Sequence, residues 1–301
     1  MPITIPNNLP AKKLLEQENI FVMGEKRAAK QDIRPLEIAL LNLMPTKVET
    51  ETQLARVLGN TPLQVNLTLL TTNSYQPKHT SKQHLISFYK TFADIKDKKF
   101  DGLVVTGAPV ELLDWSEVKY WDELKQIFDW SVTNVCSSLF ICWGAQAALQ
   151  HFHKVPKHEL AQKKFGVFSH RVKKKNAILL RGFDEEFWVP VSRNTETRTE
   201  DLKKVKDLEI LADSKDSGVY LVRNKKRKQI FAFNHPEYDR ETLLTEFERD
   251  RAKGKNFSEP ENYFDEKGQP LMRWQAHTTL LFSNWLNYYV YQETPFDLSK
   301  I

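Results

Sequence analysis

Residues 138–149 read Ser-Leu-Phe-Ile-Cys-Trp-Gly-Ala-Gln-Ala-Ala-Leu, and this stretch passes from β-forming residues to helix formers at Cys142. Its first part is a short apolar run, which is typical of a buried strand, and its second part is rich in alanine, the best helix former. Direct passage from strand to helix is characteristic of α/β proteins with parallel sheets. The segment therefore predicts an α/β fold with Cys142 in the turn between a strand and a helix.

The chain on either side extends this alternation. Before the turn, apolar strand-like runs lie at Leu36–Leu41, Val65–Leu70 and Leu103–Thr106, and helical periods lie at Glu49–Leu58, His84–Phe92 and Glu117–Val132. After it, strand-like runs lie at Gly166–Val172, Phe187–Val191, Glu209–Ala212, Val219–Val222 and Ile230–Asn234, and two helical patterns follow at Arg240–Lys253 and Trp274–Tyr289. We expect a doubly wound, mostly parallel sheet flanked by helices, with a partly antiparallel C-terminal extension.

Length and composition indicate one domain. The chain has 301 residues, of which 41% are hydrophobic, and it contains no internal repeat and no low-complexity segment. We divide this predicted single domain, residues 1–301, into an N-terminal arm over 1–35, an α/β core over roughly 36–240 and a C-terminal helical segment over 241–301.

Charge and cysteine content exclude several classes of protein. The 44 Lys and Arg residues against 39 Asp and Glu give a net charge of +5, and they are scattered apart from Lys173–Lys175 and Lys225–Lys228, so we expect no nucleic-acid partner. No apolar run is long enough to cross a bilayer, so we expect no membrane association. With only Cys136 and Cys142, the chain has no disulfide framework, and we expect a cytoplasmic protein.

Cys142 is a candidate nucleophile. A cysteine at the start of a helix lies at the positive end of the helix dipole, which favours the thiolate. Small residues after it would allow the sharp turn of a nucleophile elbow. A buried core cysteine fits this segment equally well, so the choice depends on other residues.

His235 and Glu237 form the second candidate group, in Phe231-Ala-Phe-Asn-His-Pro-Glu-Tyr238. Two residues apart on an extended strand end, their side chains point the same way, so the carboxylate can hold the imidazole while its other nitrogen faces a nucleophile. An isolated His-x-Glu is more often an ordinary polar strand end. Its position after an elbow cysteine in an α/β chain favours a Cys-His-Glu triad.

A Gly-Ala-Pro turn at residues 107–109 follows another predicted strand. Turns at the carboxyl ends of strands are where open α/β sheets bind ligands. The N–H groups of Gly107 and Ala108, together with that of Trp143, are candidates to stabilise an oxyanion. A simple strand-ending turn is the alternative.

Three histidines, His151, His153 and His158, lie close together in sequence. Their spacing fits no compact metal site, and no cysteine or carboxylate is placed with them. We expect solvated histidines and no metal.

These residues carry a resemblance. Cys142 in an elbow with His-Pro-Glu downstream is similar to the class I glutamine amidotransferase fold and its triad. Across nearly the whole chain, however, the sequence resembles the homoserine O-acyltransferase family of methionine biosynthesis. The matching stretches are Leu41-Asn-Leu-Met-Pro-Thr-Lys47, Asn73-Ser-Tyr75, Phe100-Asp-Gly-Leu-Val-Val-Thr-Gly-Ala-Pro109, Cys142-Trp-Gly-Ala-Gln146, Lys164-Phe-Gly-Val167, Leu180-Arg-Gly-Phe-Asp184, Ser192-Arg193 and Asn234-His-Pro-Glu-Tyr238.

The resemblance implies a ping-pong acyl transfer with no permanently bound cofactor. The Cys142 thiolate would take the acyl group from an acyl-CoA, and His235, oriented by Glu237, would activate the γ-hydroxyl of L-homoserine. The family's substrate contacts correspond to Lys163, Ser192 and Arg249, although Lys164 is adjacent to the first and the register could slip by one. From its neighbours alone, Arg249 would be a surface arginine. A homodimer is the expected assembly.

Glu111 indicates which acyl donor to expect. In this family the corresponding residue tends to be glycine in succinyl-transferring members and glutamate in acetyl-transferring ones. A carboxylate in the acyl pocket would fill the space of a succinyl tail and repel its charge, so we expect acetyl-CoA as co-substrate. An ordinary loop carboxylate is the alternative reading of Glu111.

Three rival functions stay open at this point. The first is the same enzyme with succinyl-CoA as donor. The second is a glutamine-hydrolysing amidotransferase, although Phe140 and Ile141 before the cysteine depart from that family's usual Gly-x-Cys-x-Gly elbow. The third is a catalytically idle α/β protein that senses a metabolite, which the intact Cys142, His235 and Glu237 disfavour.

Overall fold

The structure is a computed structural model, and it describes residues 3–6, 8–18, 22–24, 34–74, 80–254 and 258–301. Tyr75 of the matching stretches and parts of the N-terminal arm lie outside these ranges. The strands are β1 Ile3–Ile5, β2 Val22–Gly24, β3 Leu36–Leu41, β4 Val65–Leu70, β5 Tyr89–Lys90, β6 Phe100–Val105, β7 Val135–Ile141, β8 His158–Val172, β9 Glu186–Glu196, β10 Leu208–Ser214, β11 Gly218–Asn224 and β12 Gln229–Ala232.

The helices lie between and after these strands. They are α1 Pro10–Gln17, α2 Lys47–Gly59, α3 Lys82–Phe88, α4 Phe92–Ile95, α5 Trp121–Asn134, α6 Trp143–His153, α7 Thr199–Lys203, α8 Thr242–Ala252 and α9 Gln275–Asn284, which a π-helical turn over Trp285–Tyr291 continues. Single 3₁₀ turns lie at Trp115–Glu117, Ile178–Leu180 and Leu298–Lys300.

All the described strands belong to one sheet, in the order β2-β1-β4-β3-β6-β7-β12-β11-β10-β8-β9, with β5 paired to β4. The pairs from β2 through β12 are parallel, and those from β12 through β9 are antiparallel. The expectation of a doubly wound, mostly parallel sheet with an antiparallel extension is confirmed.

Two large apolar clusters cover the two faces of the sheet. Leu40 and Val104 belong to one cluster, and their chain neighbours Leu41 and Val105 belong to the other, because successive side chains of a strand point to opposite faces. Burial on both faces explains why these central strands are continuous apolar runs rather than alternating ones. Within the described ranges, none of the helices combines the length and the apolarity that a bilayer crossing requires.

One sequence-based expectation was wrong in detail. The helical period over residues 84–92 is not one helix, because α3 ends at Phe88 and the next two residues pair with β4 as β5. The N-terminal arm contains two short strands that the sequence analysis did not predict, and β1 pairs in parallel with β4 while Leu15 on α1 is fully buried. Both features depend on sheet pairing, which local sequence patterns do not report.

The parallel strands end at one edge of the sheet, and the segments that follow them converge there. Gly107 follows β6, Cys142 follows β7 and His235 follows β12. In open α/β sheets this carboxyl edge is where ligands bind.

Candidate active site

Cys142 lies between β7 and α6 with a backbone φ of 51° and ψ of −120°. A positive φ is strained for a residue with a side chain, and such strain persists where the surrounding structure enforces it. Here α6 approaches the end of β6 closely, because a Cβ atom built on Gly144 would lie 2.5 Å from the Thr106 carbonyl oxygen. The predicted strand–turn–helix geometry is present, and Gly144 is what allows it.

Two backbone hydrogen bonds position Cys142 and His235 at this edge of the sheet. The Cys142 N–H donates to the Ala232 carbonyl oxygen at 2.7 Å, at the end of β12. The His235 N–H donates to the Pro190 carbonyl oxygen at 3.0 Å. Because β7 and β12 are parallel neighbours, the residues that follow them lie side by side at the carboxyl edge.

Cys142, His235 and Glu237 form a connected group. The His235 Nδ1 lies 2.7 Å from Glu237 Oε1, and both side chains are almost fully buried. A Cβ atom on Gly107 would lie 3.6 Å from both the Cys142 Sγ and the His235 Cε1, so thiol and imidazole border the same space. The thiol, imidazole and carboxylate are thus arranged as a Cys-His-Glu triad would require.

Charges within the group favour the imidazolium. Burial is the largest single effect on the His235 pKa and lowers it, but the charges and hydrogen bonds of Cys142 and Glu237 outweigh it, so the pKa lies well above its ordinary value. The ring also stacks on Tyr238, with centroids 4.2 Å apart. His235 is therefore held in one orientation, and its raised pKa favours the protonated ring.

A cavity of about 350 Å³ opens over Cys142 and His235. It brings together most of the candidate residues from the sequence analysis, which are Gly107, Ala108, Glu111, Cys142, Lys163, Ser192, His235 and Arg249. Glu237 lies behind His235. The Trp143 indole is buried against Trp115. The backbone N–H of Trp143 is the first of α6, where no intrahelical acceptor exists.

Lys163, rather than Lys164, lines the cavity. The Lys163 side chain is 8% exposed, and its Nζ lies 3.2 Å from Asp250 Oδ2 and 3.8 Å from Glu246 Oε2. The Lys164 Nζ instead lies 3.8 Å from a carboxylate oxygen of Glu261. The structure therefore favours the first of the two lysine registers that the sequence left open.

Arg249 lies on α8, near the mouth of the same cavity. Its side chain is half exposed, and its guanidinium contacts Asp250 Oδ1 at 3.1 Å. The local sequence predicted a surface arginine, and the half-exposed side chain agrees with that prediction. Its position at the cavity is a result of how α8 packs.

Four polar residues of the cavity were missed by sequence reasoning: Asn194, Tyr238, Glu246 and Asp250. Glu246 accepts hydrogen bonds from the Ser192 hydroxyl at 2.6 Å and the Tyr238 hydroxyl at 2.7 Å. One signal was available, because residues 246, 249 and 250 share a helix face by their spacing.

Glu111 is held at both carboxylate oxygens. Asn194 Nδ2 donates to Oε1 at 2.6 Å, and the Thr195 hydroxyl lies 3.3 Å from Oε2. The Glu111 backbone carbonyl accepts a hydrogen bond from Lys157 Nζ. The carboxylate is thus an ordered part of the cavity wall, and the sequence gave no signal for its partners on β9.

The three histidines singled out in the sequence have three different partners. His151 lies 2.7 Å from Asp129, His158 lies 2.7 Å from Asp201, and His153 contacts the Asn224 amide at 3.2 Å. Among the residues that the structure describes, no group of three histidine, cysteine or carboxylate side chains has the arrangement of a metal site.

Solved structures with a similar fold include glutamine amidotransferases. One from Thermotoga maritima matches with a TM-score of 0.54, 10% identity and coverage of 85% of this chain and 98% of that one. One from Methylobacillus flagellatus matches with a TM-score of 0.52, 11% identity and coverage of 85% and 95%. At such low identity these likenesses establish the fold alone, which is that of the class I glutamine amidotransferases.

Sequence comparison is more specific. The family described as homoserine O-succinyltransferase matches residues 2–296. A protein named homoserine O-acetyltransferase from Acetivibrio thermocellus is 56% identical over 304 residues, covering all of both chains, and one of that name from Clostridium novyi is 57% identical over 300 residues, covering 99% of both. The chain therefore belongs to the homoserine O-acyltransferase family and is an acyltransferase.

Proposed function

We propose that this chain transfers an acetyl group from acetyl-CoA to the γ-hydroxyl of L-homoserine. The observation that carries the proposal is the shared cavity, in which Glu111 lines the same space as Cys142 and His235. The names of the relatives from Acetivibrio thermocellus and Clostridium novyi support the same donor.

In the first half-reaction the Cys142 thiolate attacks the thioester carbonyl of acetyl-CoA. The new C–S bond forms as the carbonyl π electrons move to oxygen, where N–H groups of Gly107, Ala108 and Trp143 are candidate donors. Collapse breaks the bond to the CoA sulfur, which leaves with the proton from His235. An acetyl thioester on Cys142 and a neutral His235 are left.

In the second half-reaction the roles reverse. Neutral His235 takes the proton from the γ-hydroxyl of homoserine while its oxygen attacks the acetyl carbonyl. The new C–O bond forms, the bond to Cys142 Sγ breaks, and the thiolate returns beside a protonated imidazole. Glu237 stabilises that cation in both directions. The raised pKa of His235 supports this cycle, since it favours the charged pair that begins and ends it.

The charges of the cavity fit a zwitterionic amino acid. Arg249 and Lys163 supply cations for the carboxylate of homoserine, and Glu246 and Asp250 supply anions for its ammonium. Ser192, which donates a hydrogen bond to Glu246, lines the same cavity. We propose that these five side chains orient the γ-hydroxyl toward the acetyl thioester.

The proposal assigns a role neither to a metal nor to a permanently bound cofactor, because the side chains supply both the nucleophile and the proton transfer. It includes a homodimeric assembly, since symmetric dimers are the commonest oligomers of soluble enzymes. It also includes a cytoplasmic location, where acyl-CoA donors are found.

The test is thiol release from purified protein supplied with L-homoserine and either acetyl-CoA or succinyl-CoA, with the Cys142→Ala variant as control. We expect release with acetyl-CoA that the substitution abolishes. Release with succinyl-CoA alone would contradict the proposed donor. Absence of release with both, together with ammonia formation from glutamine, would indicate an amidotransferase.

A further inference from the structure

A second cavity, of about 250 Å³, lies beside the one that opens over Cys142. Its wall comes from the segment that follows β3 and from the segment that joins β6 to α5. Its apolar lining residues are Leu43, Pro45, Pro109, Val110, Leu113 and Val118. Pro109, Val110 and Leu113 also line the cavity over Cys142, so the two spaces adjoin. Alone, the second cavity is smaller than the roughly 300–1,000 Å³ of most small-molecule sites, so it suits one part of a larger ligand.

The two sides of the active-site cavity differ in charge. On one side, α8 contributes Glu246, Arg249 and Asp250, and none of these three lines the second cavity. On the side that leads to the second cavity, Val110 and Leu113 contribute apolar surface. A zwitterionic amino acid suits the first side and an uncharged chain suits the second, because buried charges need partners and apolar groups gain by leaving water.

The wall of the second cavity is held in place by contacts with the rest of the site. Lys157 Nζ donates to the Leu113 carbonyl oxygen at 2.6 Å and lies 4.9 Å from the centre of the Trp115 ring. Trp115 stacks on Trp121 with ring centres 4.9 Å apart, and its ring lies 5.8 Å from that of Trp143. The segment is thus tied to the first residue of α6, and the cavity is formed before any ligand binds.

Two of the described residues that line the second cavity are charged, Glu117 and Lys119. Glu117 Oε2 accepts a hydrogen bond from the Asp114 N–H at 2.8 Å, so this carboxylate belongs to the cap of a 3₁₀ turn. Lys119 is exposed, and its ammonium has no ion-pair partner among the described residues. An exposed cation beside an apolar space suits a ligand in which an uncharged chain ends in an anion.

We propose that the second cavity binds the pantetheine arm of acetyl-CoA, with Lys119 beside the phosphates. The inference rests on the proposed function and deepens it, because it gives the donor a binding site. The arm is an uncharged chain with the thioester at one end and the phosphates at the other. When the thioester carbonyl lies at Cys142, the arm passes Val110 and Leu113, and the phosphates reach the exposed lysine. The charged side of the active-site cavity stays open for homoserine.

Protection of Cys142 from iodoacetamide measures binding of the arm without turnover. In the unprotected reaction the thiolate displaces iodide and becomes alkylated. The probes are S-methyl-CoA and S-methylpantetheine, two thioethers that have no acyl group to transfer, and the second lacks the phosphates and the nucleotide. For the unsubstituted chain we expect both probes to slow alkylation. S-methyl-CoA should do so at the lower concentration, because its phosphates are attracted to Lys119.

Leu43→Trp tests the apolar part of the site. Leu43 lines the second cavity and not the first, so the larger side chain fills the proposed path of the arm. We expect the half-protecting concentration of both probes to rise by about tenfold or more. The alkylation rate without a probe should stay within about twofold, which shows that Cys142 is intact. Val132→Trp, which adds the same ring at an exposed position outside both cavities, is the matched control and should leave protection unchanged.

Lys119→Glu tests the end that binds phosphate. We expect the half-protecting concentration of S-methyl-CoA to rise by about 3–10-fold at low salt, and this difference to shrink at high salt. Protection by S-methylpantetheine should not change, because this probe carries no phosphate. Lys206→Glu makes the same charge change at an exposed position outside both cavities and should affect neither probe.

Three results would overturn the assignment. They are an unsubstituted chain that S-methylpantetheine does not protect, a Leu43→Trp variant that is protected as well as the unsubstituted chain, and equal effects of Lys119→Glu on the two probes. Acetyl transfer to homoserine by the unsubstituted chain is measured separately. If transfer occurs, these three results reject only the binding site of the arm, and the proposed function stands. A chain that transfers no acetyl group would overturn the proposed function, and the binding site with it.

Discussion

At the scale of single residues, the catalytic role proposed for His235 depends on its contact with Glu237. Its carboxylate is 2.7 Å from Nδ1, so that nitrogen carries a proton and the other faces Cys142. Glu237 Oε2 is buried and has no hydrogen-bond partner among the described residues. The contact with His235 is therefore the main compensation for burying this carboxylate, and it fixes the orientation of the imidazole ring.

Replacing Glu237 with glutamine tests this alignment. Glutamine keeps the shape but removes the charge that stabilises the imidazolium, so we expect kcat/KM for acetyl-CoA to fall by about 10²–10⁴-fold. Glu248→Gln, at an exposed position of α8, is the matched control and should leave kcat/KM within about twofold. Equal rates for the two variants would show that the carboxylate is not part of the proton transfer.

His170 is a buried histidine outside the proposed catalytic group. Its Nε2 accepts from the Asn234 amide at 2.8 Å, so it helps to hold the residue next to His235. Burial, with a smaller effect from the charge of Arg193, lowers its pKa to about 3. It therefore binds a proton in the unfolded chain at mildly acidic pH but not in the folded chain.

The sign of the resulting pH dependence follows. Below the ordinary pKa of 6.5, the unfolded state gains a proton that the folded state does not, so the free energy of unfolding decreases as the pH is lowered. From pH 7 to pH 5, His170 should cost about 2 kcal/mol of the free energy of unfolding. Urea unfolding of the unsubstituted chain and His170→Gln at both pH values measures this. Parallel losses in the two proteins would contradict the assignment.

Candidate site residues could be selected from the sequence where their spacing along the chain indicates a contact. His235 and Glu237 lie two residues apart on one chain segment, and a helix-start cysteine has a known electrostatic environment. The contacts of Asn194 with Glu111 and of Glu246 with Ser192 were not predictable, because each joins distant parts of the chain. Only packing of β9 and α8 against the carboxyl edge creates those contacts.

At the scale of elements, the turn between β7 and α6 depends on one close approach. Gly144 lets the first turn of α6 lie against the end of β6, where the Thr106 carbonyl oxygen leaves no room for a Cβ atom. The same approach sets the strained backbone of Cys142. Both the backbone geometry of Cys142 and the packing of α6 on β6 thus depend on Gly144.

The Gly144→Ala substitution distinguishes the effect of close packing on stability from the effect of helix propensity. In an ordinary helix, alanine is more stable than glycine by about 1 kcal/mol. Here we expect the opposite sign, with a loss of about 1–3 kcal/mol in the free energy of unfolding and slower acylation, because the backbone must shift to admit the methyl group. Urea unfolding and CoA release measure the two effects. A more stable variant with normal acylation would contradict this reading of the turn.

The central strands were predicted well because burial on both faces leaves a simple apolar run. β3 and β4 match the sequence expectation residue for residue. The helical period over residues 84–92 failed because Tyr89 is drawn into the sheet, where its hydroxyl bonds Glu51 at 2.7 Å. Tertiary contacts override local periodicity at that point.

At the scale of the whole molecule, the N-terminal arm shares the core. Leu15 on α1 is fully buried in the same apolar cluster as Leu54 and Leu58 of α2. The arm also extends the parallel part of the sheet through β1 and β2. We infer from these contacts that the chain is a single cooperative domain.

Leu15→Ala tests this inference through a distant probe. All seven tryptophans lie after residue 114, so their fluorescence reports unfolding of the rest of the chain. We expect the substitution to lower the free energy of unfolding seen by tryptophan by about 2–4 kcal/mol. The neighbouring Leu14, which is 46% exposed, provides the control, and Leu14→Ala should have little effect. An unchanged tryptophan transition in Leu15→Ala would mean that the arm unfolds separately.

In the proposed mechanism, Cys142 carries the acetyl group between the two substrates. The most direct measurement is mass spectrometry of the protein mixed with acetyl-CoA in the absence of homoserine, followed by addition of homoserine. We predict one acetyl group on the peptide that contains Cys142, with release of an equivalent amount of CoA, and loss of that label when homoserine is added. An unlabelled Cys142, with CoA released only when both substrates are present, would contradict the covalent mechanism.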